Sequence, residues 1–207
     1  MKKFLIPALV GLGAIFSITS ASAALTFEFN TVVTGGVPNG PTPWATLTLE
    51  DVAANTVSFS MTNTTNNSTP DGSFIRELEL NIDPFVTNLG MQYSAPEITG
   101  FIFSQDGVND AGAMFDYSVD FVTANNPNRF TPGKTVTWTV TGDGLTASNF
   151  FGQFSAGNNS YESMVHINGI PPDNISAKIT NTNPVPEPAT FAALGLGLAA
   201  LLKRRRK

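Results

Sequence analysis

The side chains able to do chemistry are few in kind. One histidine, His166, stands in "MVHING", and there is no cysteine. A single imidazole cannot build a multi-histidine zinc site, and a catalytic triad would need a nucleophile and a carboxylate beside it. Without thiols there is no cysteine nucleophile and no thiolate metal ligand. Carboxylates are abundant, and two of them at a suitable separation could hydrolyse glycosides. Glu77 and Glu79 in "FIRELEL" would share one face of a strand, opposite Leu78 and Leu80, which is the pattern of a solvated face. "SQDGVNDAG" offers Asp106, Asn109 and Asp110 as calcium ligands around a glycine turn, but it lacks the spaced acidic series and closing Glu of an EF-hand loop. An ordinary turn is the simpler reading there. Trp44, Tyr93, Trp138 and Tyr161 could stack on sugar rings, although core packing is the commoner use of such residues. For Trp138, "TVTWTVT" also allows a core position, with Val136 and Val140 assigned to the other face. No catalytic residue, metal or cofactor is expected, and the chain is not read as an enzyme.

Charge divides the chain into unlike parts. Of 11 Lys and Arg, seven lie in the first three and last five residues. Between Ala24 and Asn183 there are 15 Asp and Glu against only Arg76, Arg129, Lys134 and Lys178, an excess of eleven negative charges. Such a surface repels phosphate backbones, so no nucleic acid partner is expected. Sugars and other neutral partners remain open.

Stepping outward, the body alternates with period two. Leu25, Phe27 and Phe29 share a face, as do Leu47 and Leu49, and Val57, Phe59 and Met61. "LEDVAANTVSFS" reads as two strands joined at Ala53, Ala54 and Asn55. "FIRELELNI", "EITGFIF", "MFDYSVDFV", "TVTWTVTG", "ASNFFGQF", "SMVHINGI" and "ISAKIT" complete ten expected strands. "FIRELEL" could also be a helix, but the alternation of Leu78, Leu80 and Ile82 favours strand. The expected fold is all-β: an antiparallel two-sheet sandwich of jelly-roll type, followed by a short C-terminal hydrophobic helix. "MTNTTNNSTPDGS" and "TANNPNRFTPGK" read as exposed loops. Asn63, Asn66, Asn67, Asn158 and Asn174 begin N-x-[ST] triplets and read as loop composition.

Both ends read as addresses. Lys2 and Lys3, an apolar run from Phe4 to Phe16 and the small-residue site Ala21-Ser22-Ala23 make residues 1–23 a secretory signal peptide, with a mature start at Ala24. Signal peptidase is therefore an expected partner. Residues 24–183 form the extracytoplasmic domain, roughly 160 residues and large enough to bury about 70% of its unfolded surface. Residues 184–207 begin with Pro186-Glu187-Pro188, whose prolines withhold backbone donors, so the stretch is expected to stay out of the sheet. Residues 189–202 are apolar but for Thr190 and would span about 21 Å as a helix. A bilayer core is about 30 Å thick, so this is a short transmembrane segment. Lys203, Arg204, Arg205, Arg206 and Lys207 then hold the tail on the cytoplasmic side.

The run "VPEPAT" followed by "FAALGLGLAALLKRRRK" resembles the PEP-CTERM sorting domain of exopolysaccharide-producing Gram-negative bacteria. The body, through "LTLEDVAANTVSFSMTN", "FIRELELNID" and "SMVHINGIPPDNISAKI", is similar to the extracytoplasmic regions of such proteins. The resemblance implies an exosortase-type processing enzyme as partner and processing near Glu187. It also implies export, a transient inner-membrane anchor, and final residence on the outer surface or in the extracellular matrix. A structural or adhesive role is the resulting expectation, with exopolysaccharide as a candidate partner. The alternatives are a carbohydrate-binding module and a carboxylate-dependent glycoside hydrolase or lyase.

Overall fold

The computed structural model describes residues 24–66, 72–152 and 154–186, which fold almost wholly as antiparallel strands. In chain order these are β1 (Leu25–Gly35), β2 (Ala45–Ala53), β3 (Thr56–Asn63), β4 (Phe74–Leu80), β5 (Gly90–Tyr93), β6 (Ile98–Asp110), β7 (Ala113–Phe121), β8 (Thr135–Thr141), β9 (Ala156–Gly157), β10 (Ser163–Ile170) and β11 (Ile175–Pro186). The all-β antiparallel expectation is met, and "FIRELEL" is a strand. The expected C-terminal helix lies outside the described residues. Among those described, no helix is long and apolar enough to cross a membrane.

Hydrogen bonding joins the strands into one continuous sheet, in the order β5-β8-β3-β2-β1-β11-β10-β4-β7-β6, with β9 beside β7. This sheet is folded over on itself. Phe59 of β3 meets Tyr117 of β7 edge to face at 6.0 Å, Trp138 of β8 meets Phe121 of β7 at 6.3 Å, and Tyr93 of β5 meets Phe101 of β6 at 6.4 Å. The two layers of the sandwich are thus halves of a single sheet. The bend falls where β1 pairs with β11, a ladder interrupted by three register shifts. Bulges of this kind bend a strand and increase its twist.

Period-two alternation explains the core. Phe27, Leu47, Phe59, Leu78, Val119 and Ile179 are all fully buried, and the residues between them on each strand are more exposed or form the outer face. Val136, Trp138 and Val140 are all buried on one side of β8, so the sequence assignment of the two valines to the opposite face is corrected. Residues two apart on a strand must share a face. The hairpin at Ala54-Asn55 forms as expected, with Asn55 in the left-handed region at φ 63°.

Several expectations change. "ASNFFGQF" is not a strand: Ala147–Phe150 is a 3₁₀ turn, with Ala147 and Phe150 buried. Spacing of i, i+3 suits that period. Asn149 Oδ1 accepts from the Thr146 N–H at 2.9 Å and Asp51 Oδ1 from the Ala147 N–H at 2.7 Å, so side chains satisfy the turn's opening donors. "SQDGVNDAG" is mostly strand, because β6 continues to Asp110 through a register shift between Phe103 and Val108. The reversal comes later, at Ala111 and Gly112, both with positive φ. The two loops are anchored: Phe130 is fully buried, and the Asn63 side chain donates to Phe130 O at 2.9 Å while accepting from both the N–H and the hydroxyl of Thr65. Asn63 is therefore a buried staple and not loop composition.

Pro186 also departs from expectation, because β11 includes it opposite Leu25, the first residue of β1. At a strand terminus the missing donor breaks no interior ladder bond, which is where sheets tolerate proline. The sheet thus runs three residues beyond Asn183, and the segments before Ala24 and after Pro186 attach side by side.

Phe59 is the hub of the aromatic core, stacked on Trp138 at 5.3 Å and edge-on to Phe150 at 5.2 Å as well as to Tyr117. Phe59→Ala is expected to lower the unfolding free energy by about 3–5 kcal/mol, read from the shift in urea midpoint at unchanged slope.

Candidate functional site

Of the sequence-derived processing residues, Ala21, Ala23, Glu187, Pro188 and the tail Lys203, Arg204, Arg205, Arg206 and Lys207 lie outside the described residues. Pro186 is placed by its backbone at the end of β11.

The outer face of the β11-β10-β4-β7 half carries a row of ionisable groups. Across the ladders, His166 of β10 stands opposite Glu77 of β4 and Lys178 of β11, and Glu77 stands opposite Asp120 of β7. Glu79, the next outward residue on β4, is only 1% exposed, and neither carboxyl oxygen has a protein hydrogen-bond partner. The solvated-face reading of Glu77 and Glu79 is therefore corrected for Glu79. Its ladder partner Met164 belongs to a second, small apolar cluster with Val108, Ala113 and Phe115, which covers this part of the outer face. Burial, then the neighbouring charge of Glu77, holds the Glu79 carboxyl well above the ordinary carboxylate range.

Other carboxylates serve as staples between elements. Asp116 accepts from the backbone N–H groups of Ile82 at 2.9 Å and Asp106 at 2.7 Å. Glu162 accepts from the Gly152 N–H and from the Asn181 amide, tying the loop before β10 to β11. Asp110 is buried in an ion pair with Lys178. Of the calcium candidates, Asp110 is thereby committed, while Asp106 and Asn109 are exposed. Among the described residues no three His, Asp or Glu side chains gather as a metal site.

The aromatic candidates divide. Trp138 is 3% exposed, and Trp44 is buried with its indole N–H donating to Gly40 O at 3.2 Å. Tyr161 packs against the small outer cluster. Tyr93 is 41% exposed on the edge strand β5, next to the 39% exposed Phe101, which sequence reasoning did not single out.

An open cleft of about 1170 Å³ lies between the start of β4, the loop after β7 and the β10–β11 turn. Its walls include Arg76, Arg129, His166, Asn168, Asn174 and Ile175, and among the described residues no Asp or Glu lines it. A bulge creates the key position. Glu77 pairs with His166 and Ile75 with Ile167, leaving Arg76 as the extra residue. Bulges re-aim side chains in this way. Arg129 is held rigidly, donating to the carbonyls of Thr123 at 2.6 Å and Ala124 at 3.2 Å, with its guanidinium 4.1 Å above the Phe74 ring. Burial, then the Arg76 charge, lowers the His166 pKa, which favours the neutral ring. Asn168 Oδ1 is buried and finds no donor among the described residues. Sequence reasoning missed this constellation except for His166. The available signal was the scarcity of body cations: four in all, two of them here.

The Glu79 burial has a measurable consequence. A folded carboxyl raised above its unfolded value near 4.5 gives stability that is complete below that value and lost as pH rises through the folded one. Between pH 5 and pH 8, Tm is expected to fall less in Glu79→Gln than in the unsubstituted protein. A difference of at least about 2 °C is expected, because about 1 kcal/mol corresponds to about 2–4 °C in a domain near this size. Thermal melts at both pH values check this.

Comparison with known proteins bears on the end of the chain. No curated protein and no solved structure matches the sequence. Residues 184–207 match the family model described as the PEP-CTERM protein-sorting motif. The chain therefore carries a PEP-CTERM sorting motif, which marks it as an exported protein held at the membrane by its C-terminus and processed there by an exosortase.

Proposed function

We propose that the body is a non-enzymatic structural or adhesive component of the outer surface or exopolysaccharide matrix of a Gram-negative bacterium. Signal peptidase would free it at Ala24, and an exosortase-type enzyme would release it near Glu187. The observation that carries this reading is the pairing of Leu25 with Pro186, which brings the start and the end of the described sheet together. The body is in this way a self-contained cargo with both attachment points at one end. Processing at Glu187 would act one residue beyond the last paired position and leave the sheet whole. The use of Asp51, Asp116 and Glu162 to hold loops supports a structural employment of the carboxylates over a catalytic one.

A carbohydrate-binding role is the second reading, favoured by the Arg76–Arg129 cleft in a body otherwise so acidic. Both readings place the mature body outside the cell.

An epitope in the body, followed by fractionation of the host with its exosortase gene intact or deleted, tests the first reading. The expected outcome is body in the surface and matrix fractions of the intact host, with an intact mass lacking the five terminal cations. In the deletion strain it should stay with the inner membrane. Equal surface recovery in both strains, or a mature mass that retains Lys203–Lys207, would overturn it.

A further inference from the structure

We infer that the cleft beside β4 and β10 binds a carboxylate-bearing sugar chain, a uronate segment of an acidic polysaccharide. Arg76 would hold the carboxylate, and Asn168 a neighbouring hydroxyl. The choice of a polysaccharide rests on the reading of the body as a matrix protein; the choice of an anion does not.

The charge argument starts from scarcity. Lys134 is paired with Glu97 at 2.9 Å and Lys178 with Asp110. Arg129 is tied to two backbone carbonyls. Arg76 is exposed and forms no ion pair among the described residues, although its charge acts on the neighbouring Glu77 and Glu79, so it is the least committed of the four body cations. Its side chain lines a cleft that no carboxylate of the described residues enters, on a body with eleven surplus negative charges. A concavity of one sign set in a surface of the other concentrates counter-ions. A guanidinium presents a planar fork that matches a carboxylate with two parallel hydrogen bonds.

The remaining lining suits a sugar better than a bare anion. Asn168 Oδ1 is a buried acceptor without a donor among the described residues, and a sugar hydroxyl toward which the side chain turned would supply one. A neutral His166 offers one donor and one acceptor, while Asn125, Asn174 and Ser176 add further polar groups along the same walls. Ile175, Pro171 and Pro172 supply apolar surface for the C–H faces of a ring. The volume, about 1170 Å³, exceeds the range of about 300–1,000 Å³ usual for small-molecule pockets. An open cleft of this size fits a segment of a chain. With two guanidiniums and no basic stripe, it matches one or two carboxylates and not the dense charge of a nucleic acid.

Titration calorimetry on the full chain in mild detergent tests this, with trigalacturonate, its methyl ester and sodium acetate as probes. Trigalacturonate is expected to bind, and the neutral methyl ester and Arg76→Gln each to weaken binding about tenfold, the loss of one charge-assisted contact. Asn168→Ala should weaken it several-fold, and rising salt should weaken the acid and not the ester. Arg76 is exposed and outside the core, so Arg76→Gln should keep its Tm, which separates lost binding from lost folding. Equal affinity for acid and ester, no binding of trigalacturonate at millimolar concentration, or acetate binding as tightly as the trisaccharide would overturn the inference. None of these outcomes alters where the body is found in the fractionation experiment, so the two readings fail independently.

Discussion

The ladder between β1 and β11 joins the two ends of the body to each other and the two layers of the sandwich to each other. On one side of it lie β2, β3, β8 and β5, and on the other β10, β4, β7 and β6. Its partners are some 150 residues apart in sequence, so closing it carries the largest loop entropy in the molecule. What offsets that cost is the apolar surface it brings together. Phe27 and Phe29 from β1 and Ala177 and Ile179 from β11 enter the same core as Phe59 and Tyr117. At about 25 cal/mol per Å² of buried apolar area, the aromatic side chains dominate that gain. Close backbone approach is part of the same contact: at Gly35, where β1 ends with φ +92°, an added Cβ would fall 2.0 Å from Ser176 O.

With the core closed, the chemistry is left to the outer face and the rims. The acidic side chains do different things there according to depth. Near the rims they accept from backbone N–H groups and hold loops, as Asp51, Asp116 and Glu162 do. On the middle of the outer face, Glu79 is covered through the Met164 cluster and favours its protonated form. At the β10–β11 end the described lining of the cleft is cationic, because a single bulge residue, Arg76, is displaced toward the cleft there.

Much of this was legible. Strict alternation in "LTFEFN", "TLTLE" and "TVSFSMTN" specifies both strand and buried face, since period two leaves no other arrangement in which those phenylalanines and leucines meet. "ASNFFGQF" failed as a strand because Phe150 and Phe151 are adjacent and the segment is governed by caps from Asn149 and from Asp51, the latter 96 residues away. The short strand β5, "GMQY", carries no apolar alternation of its own and exists because β8 offers it an edge. The cleft was illegible for the same reason: Arg76, Arg129 and Asn168 are far apart in sequence and are brought together by a bulge, a loop and a turn.

By itself the sequence determined the class of fold, the C-terminal sorting motif and the charge. Each is a property of local pattern or composition: alternation, an apolar run beside cations, a proline pair around Glu187, and a count of carboxylates. Only the tertiary structure decided that the two layers are one folded sheet, that Pro186 ends a strand, that Glu79 is buried, and that Arg76 lines a cleft without an ion pair among the described residues. These depend on which distant residues become neighbours. Burial and pairing are set by the partner across the ladder, and a strand's own residues cannot name that partner.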